Sequence, residues 1–201
     1  MKNNALTPLR GLIIFTFLIL IGLGVFLFLK PTSLPKAIQL GGDFTLQSAD
    51  GPVSLSDYRG KVVAMYIGYS ACPDVCPTAL AIMRQAFVSL PTEQQPFVAG
   101  LFVSVDPERD TPEKLKTYTQ FFHPALTGVT GTKSEIDEVV ALYGAFYRRI
   151  EMEDSAMGYA VDHSSRIYLI GPQGKLRNTI SHNASPSELI EALQALLPSS
   201  S

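Results

Sequence analysis

After Lys61 the chain reads Val-Val-Ala-Met-Tyr-Ile67, a short apolar run of the kind that fills a sheet buried on both faces. The segment Gly68-Tyr-Ser-Ala-Cys-Pro-Asp-Val-Cys-Pro77 follows, and then Thr78 to Leu90, where Leu80, Met83, Phe87 and Leu90 recur at helical spacing. This is a central strand turning into a helix, and in an open α/β sheet ligands bind at the carboxyl ends of the strands. The only two cysteines, Cys72 and Cys76, sit in that turn. A helix N-terminus favours thiolate over thiol there.

The spacing of the pair leaves two readings open. Residues four apart on a helical turn have Cβ atoms about 5–6 Å apart, whereas a disulfide wants them near about 3.8 Å. Two sulfurs each about 2.3 Å from a soft metal ion span the gap with less distortion, and thiolates select Cu(I), zinc or iron–sulfur clusters. Two cysteines are too few for a structural zinc or cluster site, so a metal would need further ligands. The alternative is a structural disulfide or two buried thiols.

The remaining pattern is that of an α/β domain. Gly41–Leu46 and Val53–Leu55 flank Asp50-Gly51, a hairpin signal. Phe97–Val105 is a second buried strand, ending in Asp106-Pro-Glu-Arg-Asp-Thr-Pro112, where Asp110 or Thr111 with Pro112 starts a helix to about Phe122. Val129–Gly131 is a short strand, and Thr132-Lys-Ser-Glu135 has capping-box spacing for a helix to about Tyr143. Ser165–Ile170 and Lys175–Ser181 form a late hairpin, and Ser185-Pro-Ser-Glu188 caps a last helix. Alternating strands and helices, then a hairpin and a closing helix, give a thioredoxin-like fold with a central mixed sheet flanked by helices. A thioredoxin oxidoreductase carries C-x-x-C; this chain has one more residue between its cysteines.

Gly11 to Leu29 is uncharged throughout and about 28 Å long as a helix, enough for a bilayer core. It ends in Leu29-Lys30-Pro31 rather than at a small-residue cleavage site, which favours a retained anchor over a signal peptide. The organisation expected is a tail at 1–10, a transmembrane anchor at 11–29, a tether at 30–40 and a domain at 41–197. Lys2, Arg10 and Lys30 precede Pro31, leaving 13 of the 16 basic residues against all 18 acidic ones in the rest. That portion, at −5, argues against a nucleic-acid partner.

Three histidines could supply a third ligand. His123 and His182 read as surface residues at the ends of elements, while His163 precedes a predicted sheet strand, where the chain can return beside the cysteine turn. Neutral imidazole suits copper and zinc.

Taken together, Gly68–Pro77, Ser104-Val-Asp-Pro-Glu-Arg-Asp-Thr-Pro112 and Tyr159-Ala-Val-Asp-His-Ser164 resemble the Sco/SenC family. These are membrane-anchored, thioredoxin-fold copper proteins linked to assembly of the binuclear copper site in cytochrome c oxidase. The similarity covers roughly Gly41 to Leu197. It implies a copper ion, Cu(I) or Cu(II), bound by Cys72, Cys76 and His163. Its expected partners are the oxidase copper-site subunit, a copper donor protein, a thiol reductant and the membrane. It places a single-pass protein in the inner membrane with its domain on the periplasmic side. Asp106 is expected as a strand-end turn residue, Asp110 as a helix cap and Asp74 as a surface turn residue or outer-shell group. Ser70 and Ala71 depart from the threonine and bulkier residue often found there.

A metal-transfer protein needs no turnover, so enzyme activity is not expected on this reading. The alternative function is a thiol-disulfide oxidoreductase that cycles Cys72 and Cys76 through a disulfide to reduce the oxidase subunit's cysteines. A peroxiredoxin-like peroxidase is a third. A Cys72–Cys76 disulfide would abolish Cu(I) binding, because ligation needs thiolates.

Overall fold

A computed structural model describes residues 6–29, 40–152, 155 and 157–197, with backbone alone at 6–10 and 27. They fall into two compact units, residues 1–39 and 40–201.

The first unit is helix α1 (Leu6–Leu29), about 36 Å long. Leu12, Phe15, Phe17 and Leu20 are exposed along it. Among the described residues, no helix is long and apolar enough to cross a membrane. The stretch expected as a span, Gly11–Leu29, is helical within α1, but the fold does not show it crossing a membrane. The tether at 30–40 lies outside the described residues except for Leu40.

The second unit is built on a five-stranded mixed sheet. Its strands are β3 (Val62–Gly68), β4 (Val98–Ser104), β5 (Leu126–Val129), β8 (Arg166–Ile170) and β9 (Leu176–Ser181), in the order β5-β4-β3-β8-β9. Every residue of β3 and β4 is buried, which is why both read as unbroken apolar runs. β3 pairs parallel with β4 and β4 with β5, through helices α2 (Val75–Ser89) and α3 (Pro112–Phe122). β3 pairs antiparallel with β8, and β8 with β9. Helices α4 (Lys133–Leu142) and α5 (Pro186–Gln194) complete the thioredoxin-like arrangement, with Ile136, Leu189 and Leu193 in the core.

Two short hairpins lie outside this sheet. In the first, β1 (Thr45–Ser48) and β2 (Gly51–Ser54) pair Ser48 with Gly51, so the turn is centred on Ala49 and Asp50, not on Asp50-Gly51. The second, β6 (Tyr147–Glu151) and β7 (Tyr159–His163), was not expected. Other differences are shifts: β5 begins at Leu126 rather than Val129, and α2 begins at Val75 rather than Thr78.

The register explains where a site can form. Gly68 at the end of β3 lies beside Ser104 at the end of β4. Antiparallel pairing sets Tyr66 against Ile167, so the chain entering β8 passes the same end of β3. The loop after β3, the loop after β4 and the segment before β8 therefore meet at one edge.

Candidate metal centre

Cys72 lies in the loop after β3, half-buried, with its backbone N–H donating to the Tyr69 carbonyl at 3.3 Å. Cys76 is the second residue of α2 and is fully buried. Pro77 directly after it is tolerated because a first-turn N–H has no intrahelical acceptor. The first helical bond follows, from Thr78 N–H to the Asp74 carbonyl. A Cβ added to Gly68 would lie 2.6 Å from Cys76 Sγ and 3.1 Å from Tyr66 Cε1. The bare Cα at the end of β3 is what admits the sulfur.

His163 is the last residue of β7, not a loop residue, and it is buried. The strand alternates, with Tyr159, Val161 and His163 turned inward. Its Nε2 lies 3.4 Å from Cys76 Sγ, and its Nδ1 3.3 Å from the Ser164 carbonyl. The rings of Tyr66 and Tyr69 meet it edge-on, at 6.0 and 5.8 Å between centroids. The ligand atoms of Cys72, Cys76 and His163 all lie within 4.8 Å of one another. Sequence reasoning named these three residues, and the fold brings them together.

Both cysteines are free thiols that share a proton unequally. The Cys72 thiol is pulled down to about 3, chiefly by the Cys76 thiol, which offers it a proton. Burial opposes this, while His163 and the backbone amides of Asp74 and Cys76 assist it. The Cys76 thiol is pushed up by the same interaction and by burial. The pair thus holds one thiolate, at the more accessible sulfur. Two soft sulfurs and an imidazole nitrogen within reach of one point form a donor set suited to copper.

The other candidates separate from the site. His123 caps α3, accepts from Ala125 N–H at Nδ1 (3.1 Å) and packs edge-on against Phe87. His182 lies after β9 and is not among the grouped ligand atoms. Asp74 is exposed and precedes α2, with no side-chain hydrogen bond to the helix. Asp110 does not cap α3: Thr111 does, accepting from Lys114 N–H, and Asp110 is wholly buried among polar partners. Asp106 is the expected turn residue, its carbonyl accepting from the N–H groups of Arg109 and Asp110, but its carboxylate is also buried and occupied. The partners of these two carboxylates, Ser70 and Tyr159, were missed. The separations of 40 and 53 residues leave no local signal, although both partners lie inside the motifs that resemble the family.

Known proteins share this sequence and fold. An SCO2-like protein of Rickettsia conorii is 36% identical over 158 residues, 78% of this chain and 77% of its own length. ScoI of Bradyrhizobium japonicum, solved with copper bound, superposes with a TM-score of 0.71 at 33% identity, covering 79% of this chain and 99% of that one. BsSco, a member of the Sco family of cytochrome c oxidase assembly proteins in which a disulfide switch is identified, superposes with a TM-score of 0.61. It is 26% identical and covers 82% of this chain and 98% of that one. The SCO1/SenC family model matches residues 32–198, and with the thioredoxin-like sheet and the Cys-Cys-His cluster this chain belongs to the SCO1/SenC family.

Proposed function

We propose that this chain carries one copper ion between Cys72, Cys76 and His163 and delivers it during assembly of the binuclear copper site of cytochrome c oxidase. The observation that carries this is the meeting of two thiols and one imidazole within 4.8 Å, the thiols from the turn between β3 and α2 and the imidazole from the end of β7. Copper is cargo here. A three-donor site with one half-buried cysteine can exchange metal with a partner's ligands, which a closed four-ligand site resists. We further propose that α1 anchors the chain in the inner membrane with the domain on the periplasmic side. The uncharged run Gly11–Leu29, helical along its length, supports this. The partners would be the oxidase copper-site subunit, a copper donor and a thiol reductant.

The test is anaerobic Cu(I) titration of the full chain in detergent, wild type beside Cys72→Ser, Cys76→Ser and His163→Ala. One copper per wild-type chain is expected. Loss of either cysteine should abolish tight Cu(I) binding, and loss of His163 should weaken it and change the Cu(II) spectrum. If His163→Ala leaves both the Cu(I) affinity and the Cu(II) spectrum as in wild type, the third ligand is wrong.

A second reading has its own support: a half-buried thiol lowered to about 3, beside a buried thiol, is an arrangement for thiol-disulfide exchange. The Cys72 thiolate would attack a disulfide of the oxidase subunit and release one of its sulfurs as a thiolate. Cys76, on losing its proton, would resolve the mixed disulfide. The subunit leaves reduced and this chain oxidised, to be reset by the thiol reductant. Such a reductase has no need of His163, so the same variants separate the two.

A further inference from the structure

The loop between β4 and α3 carries two buried carboxylates, Asp106 at 4% exposure and Asp110 at 0%. A buried carboxylate is tolerated only where it is fully partnered, and the partners divide between the two halves of the metal site. Asp110 accepts from the Ser70 backbone N–H at 2.8 Å, from the Ser70 hydroxyl and from Ser104 Oγ at 2.6 Å, and it pairs with Lys114 Nζ at 3.1 Å. Ser70 lies two residues before Cys72, so this carboxylate grips the cysteine loop.

Asp106 reaches the other way. It accepts from the Tyr159 hydroxyl at 2.7 Å and pairs with Arg109 Nε at 2.5 Å. Arg109 donates to the Tyr159 carbonyl at 2.9 Å, and its guanidinium lies 3.6 Å from the centre of the Tyr159 ring. Tyr159 opens the strand that His163 closes, about 13 Å further along. That strand pairs only with β6, in a two-stranded sheet separate from the central one. No ladder to the main sheet sets its position among the described residues, so the packing of Tyr159 and Val161 into the core and polar contacts such as this one share that task.

We propose that Asp106 and Asp110 are positioning residues for the metal centre, Asp110 for the cysteine loop and Asp106, through Tyr159, for His163. Neither is a ligand. The inference rests on the copper reading and adds a division of labour to it. Disturbing Asp106 acts only on what His163 contributes, whereas disturbing Asp110 acts on what the cysteines contribute.

The experiment measures Cu(I) affinity by chelator competition and the Cu(II) absorption and EPR spectra of the full chain in detergent. Asp106→Asn, Tyr159→Phe, Asp110→Asn and Ser70→Ala are made in the wild-type and His163→Ala backgrounds, with melting temperature as the fold check. Tyr159→Phe and Ser70→Ala each delete one hydroxyl and decide the matter if an aspartate variant fails to fold. Hydrogen bonds to charged groups are worth enough for effects of about tenfold or more. Asp106→Asn and Tyr159→Phe should weaken Cu(II) binding and shift its spectrum in wild type and do nothing further once His163 is gone. Asp110→Asn and Ser70→Ala should weaken Cu(I) binding in both backgrounds. A Tyr159→Phe chain with the wild-type Cu(II) spectrum overturns the proposal, as does an equal effect of the Asp106 arm in the His163→Ala background. Wild-type chain that binds no copper overturns the underlying copper reading instead, and that titration is run first.

Discussion

Gly68 offers a way to disturb the metal centre without altering any ligand. An alanine Cβ there would stand 2.6 Å from Cys76 Sγ, 3.1 Å from Tyr66 Cε1 and 3.4 Å from Phe102 Cε2. Relaxed non-bonded contacts lie at about 3.5–4.0 Å, so the sulfur must retreat by roughly 1 Å. In the apo chain Cys76 can turn away by changing rotamer, at a cost of order 1 kcal/mol. On the copper reading Sγ is a ligand and cannot turn away once the ion is bound, so overpacking of about 1–3 kcal/mol then falls on the loaded state. Gly68→Ala should therefore weaken Cu(I) binding by about 5- to 150-fold, with a small loss of apo stability. Gly100→Ala is the control. Its Cβ would clash with Leu126 Cδ2 and meet Phe87 Cε2 at 3.1 Å inside the core, away from the metal centre. That variant should lose about 1–3 kcal/mol of stability and keep its copper affinity once folded. Chelator competition gives the affinities and denaturant titration the stabilities. Wild-type Cu(I) affinity in Gly68→Ala would refute the claim that Cys76 Sγ is seated against the end of β3.

Two further outcomes are expected. The Cys72 thiol, held down at about 3 against an ordinary value of 9.0, should remain a thiolate as pH falls from 8 toward 4. Iodoacetamide labelling of Cys72 in apo protein, followed by mass spectrometry, should thus stay nearly level across that range; a rate dropping tenfold per pH unit would show an ordinary thiol. For the anchor, reporter fusions after Lys36 should be active only outside the cytoplasm, and strong cytoplasmic-type activity would reverse the proposed orientation.

The legible parts of this fold were those whose cause is local. Unbroken apolar runs marked β3 and β4 because both faces of the sheet are covered. Pro112 and the capping box at Thr132 marked α3 and α4 because first-turn N–H groups need acceptors near in sequence. The β6–β7 hairpin escaped because Tyr147-Arg-Arg-Ile-Glu is almost wholly exposed and carries no alternation. It is supported by cross-strand contacts, Arg148 with Asp162 at 3.2 Å and Arg149 over the Tyr159 ring at 3.7 Å, that exist only once the register is known. Asp110 misled for a related reason. It stands one residue before a true N-cap, and only its burial shows that its partners are distant. Cys72, Cys76 and His163 could be named as candidate donors because thiols and an imidazole carry their chemistry with them; the 87 residues between Cys76 and His163 were bridged by the family motifs, not by periodicity.

The three donors are not held alike, and this bears on metal transfer as against storage. Cys76 is fixed from two sides, by its place in the first turn of α2 and by the bare Cα of Gly68. His163 is buried between two tyrosine rings at the end of a strand. Cys72 belongs to neither helix nor strand; it sits half-buried in a loop whose anchor, Ser70, is held by Asp110. On the copper reading, two donors define where the ion sits while the third faces the direction from which a partner's ligand arrives. Cys72 is also where the shared negative charge resides in the apo state, so an incoming cation meets a formed thiolate first. Only the second sulfur must then release its proton. A storage site would enclose all its donors. This one leaves a charged sulfur at its mouth and keeps the other two donors inside, an asymmetry suited to taking up an ion and giving it away.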